Sequence, residues 1–317
     1  ISSNAIIGNA GTYVVDRKGF NNGRVFGAGR GMAGGAYAAR ANVFNTVVTI
    51  EGGTVNGSVF GGGENGHVLQ DTRVTVNGGT IGHNMNASYA AVEGMGQPAM
   101  VPIMKSRMAN VGNVYGAGRG CDLAHDGSYS MSAGYVRGNT IVNINGGTIH
   151  RNVYGGGSMA LVGDYGLNGA ADRIQDVNSG LATVNIHSSV GDAGDNVGFG
   201  GNVFGSSRGR ANDPANPDFD FAEMAYAFKT QVNIGNDAGD ETLTVYRNVY
   251  GGGEAGHVDY GGTTVNIKSG TVQGSVFGGG MGASTSPTAG IVDGNTQVNI
   301  GTDAQASNNV VIGEYVF

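Results

Sequence analysis

Pairs of apolar residues separated by a single residue recur along the whole chain. They read VTIEGG from Val48, VTVNGG from Val74, VNINGG from Val142 and VNIHSS from Val184. They continue as VNIGND from Val232, VNIKSG from Val265 and VNIGTD from Val298, and AIIGNAG from Ala5 aligns with the Val232 copy. Residues two apart share a face of a strand but not of a helix. Each copy therefore predicts a short strand with one apolar face. The middle residue (Ile6, Thr49, Thr75, Asn143, Asn185, Asn233, Asn266, Asn299) points the other way. The Asn-Gly and Gly-Gly steps that follow predict tight turns.

A second motif alternates with the first: Val, then an aromatic, then in most copies a glycine-rich turn. It reads RVFGAGRG from Arg24, SVFGGGE from Ser58, NVYGAGRG from Asn113 and NVYGGGS from Asn152. It returns as NVFGSSRG from Asn202, NVYGGGE from Asn248 and SVFGGGM from Ser275, and Tyr315-Val316-Phe317 begins an eighth copy. The residue before Val is mostly polar and shares its face with the aromatic. Val is thus expected to face the core. Phe26, Phe60, Tyr115, Tyr154, Phe204, Tyr250, Phe277 and Phe317 are expected to form a column on the opposite face, with the tyrosine hydroxyls reaching water. That column is either covered by loops or turned inward at a corner, or it is an exposed track that stacks on sugar rings. The absence of Trp speaks against the track.

Like residues return at like places: Val on Val, Asn on Asn, Gly on Gly. An antiparallel sandwich has no need of this, whereas parallel in-register stacking does. The pattern predicts an all-β fold, a parallel β-solenoid of about eight coils, right-handed by the crossover rule. Eight coils at ~4.8 Å each make a rod about 38 Å tall. The chain reads as one domain, 1–317, with insertion loops at 31–45, 84–110, 120–139 and 209–229. Within the last, DFAEMAYAF (220–228) carries the spacing of a short amphipathic helix. Arg30, Arg119 and Arg208 occupy the same turn at 89-residue intervals. Each is expected to bond carbonyls of its own turn or an acid of the adjacent long loop.

Composition narrows the function. Gly is 62 of 317 residues without an every-third period, which excludes collagen. Charged residues are only 13%, net charge is −7 and no basic patch is visible, so neither nucleic acid nor an anionic membrane surface is an expected partner. No apolar run approaches the ~18 residues of a membrane span. The single cysteine, Cys121, excludes a disulfide framework and a cysteine zinc site, and reads as a buried or half-buried thiol. The chain begins at Ile1 rather than Met, as expected of a processed protein or a piece of a longer one.

The runs TVNINGGTIHRNVYGGG, TVNIKSGTVQGSVFGGG and NVYGGGEAGHV resemble the glycine-rich repeats of large secreted or surface proteins of gut Bacteroidota. Similar repeats occur in adhesin-like proteins of gut archaea. The resemblance covers nearly the whole chain. It implies an extracellular location and a structural or attachment role, and brings no catalytic residues with it.

Residue chemistry agrees with a non-enzymatic reading. Polysaccharide lyases and hydrolases also use parallel β-helices, but they need carboxylates clustered with Arg or Lys in a groove. No such cluster stands out, so no catalytic residue, cofactor or metal is expected. Glu64 with His67 and Glu254 with His257 read as local hydrogen-bonded pairs within their turns. Asp192 and Asp195, with Asp237, Asp240 and Glu241, come from consecutive coils; they form either a solvated acidic edge or an oxygen site suited to calcium. The outward Thr/Asn column is broken as an ice-binding array by Arg73, Gln231 and Gln297.

The expected function is an extracellular structural solenoid, a filament subunit or adhesin rod, with a carbohydrate-binding or polysaccharide-cleaving β-helix as the alternative. Partners are then a second copy of the chain, adjoining solenoid segments of a parent chain, or host or microbial glycans. Assembly would use uncapped ends carrying Ile6, Ile7, Val316 and Phe317. Whether coils are added by another copy or by the same chain stays open. The inside/outside assignment itself is testable. Val153→Asp or Ile144→Asp is expected to abolish cooperative thermal unfolding, since an unpaired buried charge costs several kcal/mol. A Val153→Asp chain that melts like the parent would contradict the assignment.

Overall fold

The computed structural model describes residues 1–8, 23–31, 41–84, 111–120, 130–166, 174–194, 200–210, 221–238, 241–284, 286–302 and 310–317. Every pairing between its named strands is parallel and joins one coil to the next. The VNI motifs lie in one seven-stranded sheet: Thr46–Ile50, Thr72–Val76, Thr140–Ile144, Leu181–Ile186, Tyr226–Ile234, His257–Ile267 and Thr296–Ile300. Register is like on like, with Val184 beside Val142 and Val232, and Asn185 beside Asn143 and Asn233. The Val-aromatic pairs, from Val25–Phe26 to Val276–Phe277, make a second seven-stranded sheet. The fold is a parallel β-solenoid.

A third row was not anticipated. Thr54–Val55, Thr80–Ile81 and Thr148–Ile149 stack on Ile6–Ile7, while Thr244–Val245, Gly270–Val272 and Val310–Ile312 form a separate three-stranded piece. Val190 bridges the two pieces by pairing with Ile149 and Val245. Here the alignment of Ala5-Ile6-Ile7 with the VNI strands is corrected, because Ile6 pairs with Thr54 and Ile7 with Val55. The VNI sheet therefore has seven strands, and the eighth coil is represented by Val310–Ile312, Val316 and Phe317. Two further rows consist of single bridged residues. One runs Arg30, Glu64, Arg119, Ser158, Arg208, Glu254, Met281, and the other includes Val43, Val68, Val136, Val162 and Ala227.

The core lies inside the coil. It is a column of Val and Ile from all three sheets, including Ile50, Val74, Ile144, Val153, Val203, Ile234 and Val276, each fully buried. Ile144 and Val153 thus sit where the sequence placed them. The aromatic column is a separate buried cluster, not an exposed track. Its rings stack face to face from Phe26 to Phe317, with centroids 4.6–5.0 Å apart and planes within 3–12°. Stacked pairs of this kind add about 0.5–1.5 kcal/mol each beyond area burial, so the column acts as a second spine.

Side-chain ladders join the coils as well. On the VNI sheet, Asn299 Nδ2 donates to Asn266 Oδ1, Asn266 to Asn233, Asn233 to Asn185 and Asn185 to Asn143, at 2.7–2.8 Å. Ahead of the aromatic pairs, each side-chain oxygen accepts the backbone N–H of the next coil: Ser58 from Asn113, Asn113 from Asn152, Asn152 from Asn202, Asn202 from Asn248 and Asn248 from Ser275. Buried threonines close the corner. Thr46, Thr72, Thr140, Thr230 and Thr263 each donate at 2.6 Å to the carbonyl of the glycine that follows an aromatic.

Residues 220–228 are corrected from helix. Phe221–Met224 is one 3-10 turn, and Tyr226 already opens the strand to Ile234. Ala227 fits between Val162 and Val258 in the adjacent coils, so cross-coil pairing overrides local helical spacing. The insertions are also shorter than expected: Val43, Val136 and Tyr226–Lys229 belong to the coils. Loop 84–110 from residue 85 on, and Cys121, lie outside the described residues.

Glycine after the aromatic is required for space. A Cβ on Gly61, Gly116, Gly155 or Gly205 would sit well inside van der Waals contact with the carbonyl oxygen of Gly116, Gly155, Gly205 or Gly251, respectively. Gly155→Ala is therefore expected to cost about 3 kcal/mol or more. Gly279 meets nothing within 4 Å and has no positive φ, so Gly279→Ala is expected to be neutral or stabilising by a few tenths. Equal melting temperatures for the two variants would refute the close-approach explanation.

Candidate functional site

The four residues predicted for assembly lie at opposite ends of the stack. Ile6 is 69% exposed on the outer edge of the third row, and Ile7 is half-buried against the core. Val316 is 46% exposed and bridges Val276, with its coil fastened by Val276 N–H to the Tyr315 carbonyl. Phe317 stacks on Phe277 at 5.0 Å, meets the tilted Tyr315 ring at 5.8 Å and is 69% exposed. One coil below, Val276 is fully buried.

The exposed end is larger than those residues. Ile300, at a position that is core in every earlier coil, is 48% exposed, and Val311 and Tyr315 are also exposed. These were missed by reading the end only from its last motif; the like-on-like rule would have found Ile300 from Ile267. The other end is partly covered. The Ile1 carbonyl accepts from the Glu51 and Gly52 amides, as the Ile50 carbonyl accepts from Asn77 and Gly78. The Ile1 ammonium donates to the Thr49 carbonyl at 3.0 Å.

The three arginines of the 89-residue period pair differently from expectation. Among the described residues, the acids paired with them come from neighbouring coils. Glu64 lies between Arg30 and Arg119, at 3.2 and 3.3 Å, and Glu254 pairs with Arg208 at 3.3 Å. The Tyr154 hydroxyl donates to Glu254, and the buried Tyr115 lies beside Arg208. The Tyr115 and Tyr154 hydroxyls thus meet charged groups rather than water, while the Tyr250 hydroxyl accepts from Asn248 Nδ2 at 3.2 Å. Burial works against charge on Arg208, but Glu254, Tyr115 and Tyr154 push its pKa above the ordinary arginine value. Burial also pushes the Tyr115 and Tyr154 hydroxyls above the usual tyrosine range, and Glu254 adds to that push.

The Glu–His turn pairs are corrected too. His67 is buried edge-on against Tyr135, at 5.9 Å between centroids, while His257 Nε2 lies 2.9 Å from Asp293. Burial lowers the pKa of His67. On the acidic edge, Asp192 pairs with His150 at 2.7 Å, Glu241 with His187 at 3.1 Å and Asp237 with Lys268. Asp195 and Asp240 lie outside the described residues. Among the described residues no three His, Cys, Asp or Glu side chains converge as metal ligands, and no helix is long and apolar enough to cross a membrane.

No protein-family model, no curated protein and no solved structure matches this chain.

The buried hydroxyls make alkaline stability a readout of this site. An unfolded tyrosine ionises near pH 10, whereas Tyr115 and Tyr154 ionise higher when folded. Above pH ~10 the unfolded chain then binds fewer protons than the folded one, so stability falls as pH rises. Tyrosinate absorbance is expected to show a late phase that coincides with loss of the strand circular-dichroism signal. Tyr154→Phe should reduce that phase; complete ionisation with the strand signal intact would contradict the burial.

Proposed function

We propose that the chain is a structural solenoid segment, a filament or adhesin rod, whose exposed coil is a surface for further coils. One observation carries this. The aromatic stack, the asparagine ladder and the parallel backbone pairing all run unbroken to the coil of Ile300, Val311 and Phe317, and that coil presents core positions to solvent. A row of unpaired strand groups over an apolar core is a template for another strand. Stacking Ile6–Ile7 and Val25–Phe26 of one copy on Val310–Ile312 and Val316–Phe317 of another continues two of the three sheets. Such a contact is head-to-tail and does not close, so it propagates.

Low charge supports a structural rather than catalytic role. So does the pairing of described carboxylates with Arg, His or Lys at Glu64, Asp164, Asp192, Asp237, Glu241, Glu254 and Asp293. The resemblance of the repeats to those of secreted and surface proteins supports an extracellular placement.

Assembly between copies is tested by light scattering and negative-stain microscopy. The apparent mass is expected to rise with concentration, with rods about one coil-stack wide. Val316→Lys or Ile6→Lys should stop growth while leaving the melting transition in place, since both positions are at the exposed ends. A parent chain that stays monomeric at high concentration with intact termini overturns assembly between copies.

A further inference from the structure

Three hollows open side by side along the flank of the first four coils. One, of about 340 Å³, lies on the outer face of the VNI sheet around Val47, Arg73, Ile141 and Thr183. It shares Asp71 and Asn139 with a second, of about 430 Å³, that includes Phe44, Asp164, Asp176 and Ser179. The second shares Leu69 and Arg137 with a third, of about 490 Å³, walled by His67, Tyr135 and Gln175. Volumes of this size are those of ligand sites. We propose that the three form one groove that binds a neutral oligosaccharide chain.

The polar groups of the groove are mostly amides and hydroxyls, suited to sugar hydroxyls in both donor and acceptor roles. Apart from the exposed Arg73 in the first hollow, its charges are engaged. Arg137 holds Asp164 through Nε and Nη2 at 2.9–3.1 Å, and Asp176 accepts from the backbone and side chain of Asn178. Three carboxylates, Asp71, Asp164 and Asp176, disfavour a polyanion. The apolar groups are out of place for a flank facing only water: Phe44 is 65% and Val47 70% exposed. They give a sugar ring flat apolar surface to lie on.

An extended peptide is the competing occupant, and the backbone argues against it. A peptide adds to a sheet through free strand edges. Here the amides are taken by the neighbouring coil: Leu69 N–H by Val43, Gln70 by Phe44, Arg137 by Val68, Gly138 by Gln70 and Gly180 by Gly138. Recognition falls to side chains. They are set in advance, because Asn45 Oδ1 accepts from Asp71 N–H at 3.0 Å, Asp71 from Asn139 at 2.7 Å and Asn139 from Leu181 at 2.9 Å. In the third hollow, Nε2 of the buried His67 has no hydrogen-bond partner among the described residues.

The test is an array of neutral oligosaccharides (cello-, xylo-, manno- and N-acetyllactosamine series), with polygalacturonate and an extended polyalanine–serine peptide as competitors. Hits are titrated by calorimetry using the full chain. At least one neutral series is expected to bind more tightly as its chain lengthens. Phe44→Ala and Gln175→Ala, both exposed and leaving the melting temperature unchanged, should each weaken binding about tenfold. No binding by any neutral series, preference for the polyuronate or the peptide, or binding indifferent to both substitutions would overturn the proposal. Val316→Lys leaves the groove intact, so this outcome is independent of assembly.

Discussion

Neighbouring coils approach closely where the Cα of a glycine passes the carbonyl of the glycine one coil on, and no methyl group fits between them. With Gly61, Gly116, Gly155 and Gly205 in that column, the glycine carbonyl accepts a buried threonine hydroxyl, as Gly155 does from Thr140, while the parallel backbone bond goes to the carbonyl of the preceding aromatic, as from Gly116 N–H to Tyr154. The corner sets the separation of the coils, and the separation sets everything else. Rings at 4.6–5.0 Å can stack face to face, and asparagine amides can reach one another at 2.8 Å, only if every coil repeats at the same height.

The energetics follow from repetition rather than from any strong contact. One ring stack or one amide bond contributes about 1 kcal/mol. Each is made again at every coil, and each needs the same register, so a slip of one residue would forfeit all of them together. This explains why long insertions are tolerated. The chain can leave the stack after Arg30, Arg119 or Arg208, provided it returns to Val43, Val136 and Ala227. The charged row at those exits is distributed in the same spirit, with Glu64 shared by the arginines of two flanking coils.

The VNI and Val-aromatic strands were legible because a two-residue period with Val and Ile on one side has one physical meaning. Ile144 and Val153 needed nothing more than that alternation. The third row was not legible, since Thr80–Ile81 or Thr148–Ile149 is too short to show a period, and Ile6 was drawn to the wrong sheet by its likeness to VNI. Single bridged residues such as Glu64 show no two-residue alternation, so the partners of Arg30 and Arg119 came only with the stacking. Residues 220–228 misled for a physical reason. Their spacing suits a helix locally, but Ala227 is worth more between Val162 and Val258. The open end was half legible, from Val316 and Phe317 but not Ile300. The flank groove was not, because it is assembled from corners of four coils with insertions of unlike length.

The two asparagine columns have a sense as well as a spacing. In the outer one each Nδ2 reaches back to the oxygen of the preceding coil, as Asn299 does to Asn266. In the inner one each side-chain oxygen receives the N–H of the coil that follows, as Asn248 does from Ser275. All these donors point the same way along the axis, so their dipoles add and each bond polarises the next. A coil laid on in reverse would set oxygen against oxygen along both columns. The stack therefore carries an arrow, drawn in side chains, that distinguishes its two faces even where the sequences of the coils are nearly alike.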